Sequence, residues 1–297
     1  MKMLWFDSAH HDEFGIFQKP KISFMLRNTK LILFLSVAAA IMMAATSLGG
    51  IFINGLYSRE TPSWLAQCLS SDYFDLVVMV PLTLLATFFM IRGSRMAMFI
   101  WLGSMMYTAY MFAIYCFAVH FNKLFLVYCG ALGFSVYSII AFFASLDFAA
   151  ARQWVFNRKM GIASGIFLIV LGCMFCALWL SDIIPAAISG SVPDNVKEVG
   201  GMTNPVHVLD LSMMLPGIVL SGILFLKRNV YGYIFAPAML VVAVLMDLTI
   251  GWIIMYSAFS GVAGGSPPVM IFAVLAVISA FLFIGTVTVT TNSGETE

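Results

Sequence analysis

Five ionisable side chains lie in or next to strongly apolar stretches of this sequence, where an isolated charge is costly. Asp72 and Asp75 are three residues apart, as are His207 and Asp210, so each pair would share one face of a helix. Asp247 lies alone within a further apolar stretch. An Asp at the centre of a membrane helix costs about 2.5–3.5 kcal/mol on insertion scales, and carboxylates beside an imidazole can bind a cation or relay protons. These five residues are therefore predicted to form a site that binds a ligand or protons, with Asp72 at its rim.

Four of these residues also have a structural interpretation. Asp75 lies near the predicted start of a helix, where a carboxylate caps free N–H groups and complements the helix dipole. His207 can form a hydrogen bond at the membrane interface. Asp210 lies a turn inside its helix if Pro205 is the first helical residue, so capping explains it less well. Asp247 has no capping role and needs a partner inside the bundle, as a functional group or in a buried polar network.

The composition determines which solvent surrounds these residues. Hydrophobic residues make up 62% of the 297-residue chain and charged residues only 10%, with a mean hydropathy of +0.99. A soluble domain carries roughly 25% charged residues, so most of this surface must face lipid rather than water. The net charge of +1 gives no indication of a nucleic-acid partner. The lipid bilayer is the partner that the composition predicts.

The apolar stretches are long enough to cross a bilayer. A spanning helix needs about 20 mostly apolar residues, and in hydrocarbon every backbone polar group must be paired within the structure. The sequence therefore predicts an all-α fold, a polytopic membrane helix bundle of about eight transmembrane helices. The predicted spans are residues 31–54, 75–91, 96–119, 124–145, 160–181, 206–226, 230–257 and 268–290. They form a transmembrane domain over residues 31–290, between a basic, amphipathic N-terminal segment (1–30) and a short acidic tail (291–297).

The distribution of basic residues predicts the orientation of the spans. Twelve of the fifteen Lys and Arg residues fall before the first span or in the connections after the second, fourth and sixth spans. The other three, Arg59, Lys123 and Lys197, fall in connections on the opposite side. Cytoplasmic connections carry the excess of Lys and Arg in membrane proteins. We therefore expect both termini in the cytoplasm and a location in the inner (cytoplasmic) membrane.

Two stretches of the sequence read alike and indicate an internal repeat. Asp, Leu, Met and Pro recur at the same offsets in Asp75-Leu-Val-Val-Met-Val-Pro81 and Asp210-Leu-Ser-Met-Met-Leu-Pro216, and a basic residue follows both aspartates at an equal distance. This favours two four-helix halves, residues 31–145 and 160–290, in the same orientation, as in transporters with parallel repeats. The alternative is chance agreement among Leu, Met and Pro, which are common in apolar sequences.

No familiar catalytic motif is present. The chain contains no Walker A, G-x-G-x-x-G, H-E-x-x-H or G-x-S-x-G pattern, so an autonomous ATPase or a familiar hydrolase is disfavoured and no cofactor is expected. Cys173 and Cys176 form a C-x-x-C inside an apolar run, which is typical of small residues on one helix face. Tyr107, Met111 and Tyr115 form a helical stripe that we interpret as packing.

Two segments carry a resemblance to known sequences. Residues 121–128 (Phe-Asn-Lys-Leu-Phe-Leu-Val-Tyr) and 204–211 (Asn-Pro-Val-His-Val-Leu-Asp-Leu) resemble segments of uncharacterised multi-pass bacterial inner-membrane proteins of unassigned function. The resemblance covers most of the spans. It implies a bacterial cytoplasmic membrane and implies no activity.

Three classes of function agree with these features. The leading hypothesis is a small transporter or ligand-binding membrane protein, with the polar Asp/His site open to the extracytoplasmic side and taking a small polar or cationic ligand. The second is a non-catalytic subunit that joins partner proteins in a membrane complex, with the carboxylates as interhelical glue. The third is a membrane-embedded enzyme that uses the same side chains for a metal or for acid–base chemistry, and a non-enzymatic role is favoured over it.

Overall fold

Eight long apolar helices confirm the predicted all-α membrane helix bundle. The computed structural model describes residues 28–152, 154, 156–262 and 269–287, so the predicted tail and nearly all of the N-terminal segment lie outside the described residues. Each helix is long and apolar enough to cross a membrane. They are α1 (Thr29–Phe52), α2 (Pro62–Ile91), α3 (Arg95–Ala118), α4 (Phe125–Ser145), α5 (Arg158–Ser189), α6 (Pro205–Leu226), α7 (Val230–Phe259) and α8 (Val269–Val287).

Helix α2 begins much earlier than its hydropathy predicts. The predicted start at residue 75 was wrong, because the helix begins at Pro62, with Thr61 as its N-cap accepting a hydrogen bond from Trp64 N at 3.2 Å. A capping side chain followed by Pro at the first helical position is a strong start signal. Asp75 therefore lies deep within a continuous helix, and its interpretation as an N-terminal cap was also wrong.

Helix α5 likewise extends beyond its predicted end at residue 181. Asp182 and Pro185 lie inside the helix, which ends at Ser189. Gly190 follows in the left-handed conformation (φ 68°), which is the usual way for a glycine to end a helix. A short helix, Asp194–Val199, then leads to α6, where Asn204 is the N-cap and Pro205 the first helical residue, as predicted.

Two helices contain a widened turn that begins at an aspartate. A π-helical segment runs from Asp75 to Met79 in α2, and another runs from Asp210 to Met214 in α6. Pro81 and Pro216 follow at the second position of the α-helical part. Proline cannot donate a backbone hydrogen bond, and its ring displaces the carbonyl four residues earlier. A local change in helical register accommodates this displacement, and such segments are frequent at functional sites.

Five positions in α2 and α3 recur in α6 and α7 with one constant offset in residue number, whereas the starts of α2 and α6 and the ends of α3 and α7 do not share it. The matched positions are those of the π-helical aspartates, the following prolines, the ends of α2 and α6, and the caps and starts of α3 and α7. The offset is identical for every pair: Asp75 and Asp210, Pro81 and Pro216, Ile91 and Leu226, Ser94 and Asn229, Arg95 and Val230.

The packing of the helices has the same two-part pattern. Both α1 and α3 pack against α2 and α4, and both α5 and α7 pack against α6 and α8. The two groups meet at α3 and α7, which are the most enclosed spans. In the most apolar 18-residue stretch of each helix, 78% of the residues of α3 and 56% of those of α7 are buried, against at most 39% in any other span. Gly103 of α3 allows this close approach, since a Cβ there would lie 2.7 Å from Val241 and 3.0 Å from the Ala238 carbonyl oxygen.

Candidate functional site

The Asp72 carboxylate is fully buried among α1, α2 and α3. The Tyr57 hydroxyl donates to Asp72 Oδ2 at 2.8 Å, and the Tyr115 hydroxyl donates to Asp72 Oδ1 at 3.0 Å. Tyr57 lies in the connection between α1 and α2, where burial and the neighbouring Asp72 raise the pKa of its phenol. A Cβ on Gly50 of α1 would overlap Asp72 Oδ2, so only glycine leaves room there. The predicted place of Asp72 at the rim of an open site was therefore wrong.

Asp75 is connected to both central helices. The Tyr107 hydroxyl of α3 donates to Asp75 Oδ1 at 3.2 Å, and the same hydroxyl lies 2.9 Å from Thr249 Oγ1 of α7. Thr249 Oγ1 in turn donates to the backbone oxygen of Leu245 at 2.7 Å. The three side chains are buried, so these oxygen–oxygen contacts link α2, α3 and α7 away from water.

Asp210 of α6 accepts two hydrogen bonds from different helices. The Tyr110 hydroxyl of α3 donates to Oδ1 at 2.9 Å, and the Trp179 indole of α5 donates to Oδ2 at 2.8 Å. The His207 ring packs on Trp179 with 4.5 Å between ring centroids. Trp179 thus contacts both members of the predicted His207–Asp210 pair.

His207 also lines a cavity at the end of the bundle that the sequence predicts to be extracytoplasmic. The cavity has a volume of about 600 Å³ and lies between the end of α5, the short helix 194–199 and the start of α6. Polar groups of Asn204, Thr203 and Ser212 share its wall with apolar side chains. Concave sites of this size and mixed lining hold small molecules in many proteins.

Asp247 has a buried carboxylate oxygen for which the described residues supply no hydrogen-bond partner. The residue is only 4% exposed, and its Oδ2 makes no hydrogen bond among the described residues. Asp247 and Thr249 are two residues apart, so they point about 200° away from each other around α7. Because Thr249 contacts α3, Asp247 points into the second group of helices. Ser279 on α8 of that group is also buried and lacks a partner for its hydroxyl within the described ranges.

The structure brings three of the predicted residues to a single helix. Asp72, Asp75 and Asp210 all accept hydrogen bonds from tyrosines of α3, at positions 115, 107 and 110. We call these three aspartates and their donors Tyr57, Tyr107, Tyr110, Tyr115 and Trp179 the polar column. No Lys or Arg in the described ranges forms an ion pair with its carboxylates, because the ion pairs there are His120–Glu60 and Lys197–Asp194.

The tyrosines of the polar column are the functional candidates that the sequence interpretation missed. Tyr107 and Tyr115 were interpreted as a packing stripe, and Tyr110 was passed over. A signal was present, because residues 107, 110 and 115 cluster in one otherwise apolar span. Buried tyrosines usually find a partner for the hydroxyl, and buried aspartates need donors. Tyrosines and aspartates in neighbouring apolar spans are therefore expected to form hydrogen bonds with each other.

The fold and this site define a polytopic integral membrane protein with a buried acidic–phenolic network. Within the part of the chain that the structure describes, no group of three or more His, Cys, Asp or Glu side chains is placed to hold a metal ion. Comparisons with family models, with curated proteins and with solved structures find no match. The resemblance of residues 121–128 and 204–211 to bacterial membrane proteins therefore stays a prediction.

Proposed function

We propose that this chain is a small proton-coupled transporter of a cytoplasmic membrane, in which the polar column and Asp247 carry the coupling protons. The observation that carries the proposal is that the contacts around Asp75 outnumber the hydroxyl hydrogens available to form hydrogen bonds. Three oxygen–oxygen contacts join Asp75, Tyr107, Thr249 and the Leu245 carbonyl, but the two hydroxyls bring only two hydrogens. A protonated Asp75 supplies the third hydrogen, so all three contacts become hydrogen bonds.

The same count applies to Asp72. Its carboxyl group contacts the hydroxyls of Tyr57 and Tyr115, and the Tyr115 hydroxyl also lies 3.1 Å from the Cys68 carbonyl oxygen. Again three contacts share two hydroxyl hydrogens, and a proton on Asp72 completes the set. Asp210 differs, because its two donors satisfy both oxygens without an additional proton. The column thus contains acids suited to hold a proton beside one suited to be ionised.

The outer cavity supplies a route for a ligand to this network. His207 forms part of the cavity wall and packs on Trp179, which donates to Asp210. A small polar or cationic ligand that enters the cavity would meet His207 first. The charge of the ligand would then act on Asp210 through Trp179, which contacts both His207 and Asp210. This gives the predicted Asp/His site an opening on the extracytoplasmic side.

The two halves of the chain suit a transport cycle. We propose that residues 31–145 and 160–290 are a parallel repeat related by an axis between α3 and α7. The constant offset between matched helix boundaries and the matched packing of the two groups support it. In transporters with such repeats, substrate and ion sites lie at the repeat interface, and the two halves rock against each other. Asp75 and Asp210 of the polar column lie at that interface, because the Tyr107–Thr249 and Tyr110–Asp210 contacts cross it.

Charge movement after a step in external pH tests the proposal. Proteoliposomes with the wild-type protein, adsorbed on a supported membrane, should give a transient current when the outer pH falls, because protons enter buried sites across the membrane field. The double variant Asp75→Asn, Asp210→Asn should lose most of this current. Glu198→Gln is the matched control, since it removes an exposed outer carboxylate and should leave the current intact. Equal currents in the double variant and the wild type would contradict the proposal.

A non-catalytic subunit of a membrane complex is the second candidate. It is favoured by the same polar column, because each carboxylate joins helices from different parts of the chain. Such contacts stabilise membrane helix bundles by about 0.6 kcal/mol on average, and up to about 1.7. In that case the wild-type protein gives no current after the pH step, while the double variant is clearly less stable in detergent.

A further inference from the structure

A second concave surface lies at the opposite end of the bundle, on the side predicted to be cytoplasmic. It is a cleft of about 450 Å³ where α5 begins, α6 ends and α7 begins. Its polar lining comes from Arg158, Arg228 and Asn157, and Phe156, Phe225 and Tyr233 are among its aromatic lining residues. The cleft contains none of the residues of the polar column or of the outer cavity.

The guanidinium groups of Arg158 and Arg228 form no ion pair within the part of the chain that the structure describes. Both side chains are exposed, and neither takes part in the two ion pairs found there. Arg158 begins α5, Arg228 lies in the connection between α6 and α7, and both line one cleft. Guanidinium groups bind phosphate through paired N–H donors, and they are more weakly hydrated than ammonium groups. This lining therefore suits a phosphate group.

The backbone of Arg228 gives an independent reason to assign a function to the cleft. Arg228 has φ 55°, in the left-handed region, and is the only non-glycine residue with a positive φ among those the structure describes. The matching position in the first half, at the same constant offset, is Gly93, with φ 92°. Glycine adopts this conformation without strain, whereas other residues do not. The fold alone therefore favours glycine at position 228, and an outlier of this kind points to a function for the side chain.

The apolar lining of the cleft indicates what kind of molecule bears the phosphate group. Phe156 packs on Phe225 and Tyr233 with ring centroids 5.4 and 5.2 Å apart, which gives the cleft an aromatic wall. Ile162 and Leu226 also line the cleft and are 44% and 38% exposed on the apolar outer surface of the bundle. A bound molecule would thus contact arginines and a lipid-facing apolar surface at once. Basic pockets between helices on this side of membranes bind anionic headgroups.

We propose that this cleft binds an anionic phospholipid of the cytoplasmic leaflet, with its phosphate between Arg158 and Arg228 and its acyl chains along Ile162 and Leu226. The site is independent of the proposed transport activity. It fixes one lipid at the junction of α5, α6 and α7, all in the second half of the chain.

Native mass spectrometry of the delipidated protein with added lipid tests the assignment. Wild-type protein should retain phosphatidylglycerol in preference to phosphatidylcholine. The double variant Arg158→Gln, Arg228→Gln should bind phosphatidylglycerol about tenfold or more weakly, because it loses two charge-assisted contacts. The control Lys159→Gln, Lys227→Gln removes the same charge from adjacent positions that do not line the cleft, and it should bind as the wild type does. Equal affinity in all three proteins would overturn the proposal.

Two further measurements separate this site from misfolding and from free phosphate. Arg228→Gly introduces the residue found at the matching position, so its melting temperature should equal or exceed that of the wild type while its affinity for phosphatidylglycerol falls. Unchanged lipid affinity in this variant would contradict the role of Arg228. Inorganic phosphate, added at the concentration at which phosphatidylglycerol saturates the cleft, should not displace the bound lipid. Displacement by inorganic phosphate would assign the cleft to a soluble phosphate compound and overturn the lipid assignment.

Discussion

Replacing Asp247 by Ala should make this protein more stable. The side chain is 4% exposed, and its Oδ2 has no hydrogen-bond partner among the described residues. A buried polar group without a partner costs about 1–3 kcal/mol. Alanine also has the higher helix propensity, by roughly 0.5 kcal/mol, and the small cavity left by the truncation costs about the same. The expected net gain is therefore about 2 kcal/mol, or a rise in melting temperature of about 3–6 °C for a chain of this size.

Thermal unfolding in detergent, followed by tryptophan fluorescence, measures this change. Asp72→Ala provides the contrast, because it leaves the buried Tyr57 hydroxyl without its acceptor and the Tyr115 hydroxyl with only the Cys68 carbonyl oxygen, and it should destabilise the protein by about 2–3 kcal/mol. If Asp247→Ala melts below the wild type, Asp247 has a stabilising partner in the folded protein and the reasoning fails. If it melts above the wild type and loses the current after a pH step, the loss is functional, because a more stable variant has not misfolded.

Three further outcomes are expected. Gly50→Ala should destabilise the protein by about 3 kcal/mol or prevent its accumulation, because its Cβ would overlap a buried carboxylate. Gly133→Ala, whose new Cβ meets no atom outside its own helical backbone within 4 Å, should melt at or above the wild type, because alanine has the higher helix propensity. Tyr110→Phe removes one donor to a buried carboxylate and should lower the free energy of unfolding by about 1 kcal/mol in a detergent titration. In a variant without native cysteines, an impermeant maleimide added to intact cells should label Ser58→Cys and leave Lys227→Cys unlabelled until the cells are opened; the reverse pattern would invert the proposed topology.

The sequence predicted the spans because hydropathy is a property of each segment by itself. The start of α2 was missed because Gln67 and Asp72 lower the hydropathy of its first half, although Thr61-Pro62 is a recognisable start signal. The helix tolerates these polar residues because they face the protein interior or the connections rather than lipid. A hydropathy window averages over all faces of a helix and cannot detect this.

The sequence pointed to the acidic residues of the candidate site but not to the side chains that form hydrogen bonds with them. Spacing in the sequence shows that Asp72 and Asp75 lie close together on one helix, which is local information. Their donors include Tyr107 and Tyr115 on the following helix, and which tyrosine meets which carboxylate depends on how α2 packs against α3. The unpaired oxygen of Asp247 depends on packing in the same way.

The two π-helical turns divide α2 and α6 into parts with different registers. A turn of this kind contains one residue more than an α-helical turn, so side chains before it are rotated by about 100° relative to those after it. The faces that the N-terminal parts of α2 and α6 present to α3 and α7 are thus set separately from the faces of the C-terminal parts. Conversion of one π turn to an α turn would rotate the N-terminal part of that helix about its axis while the C-terminal part stayed in place. Deleting one residue from 75–79 would impose this rotation on α2 permanently, and the intact helix in the other half would serve as an internal reference.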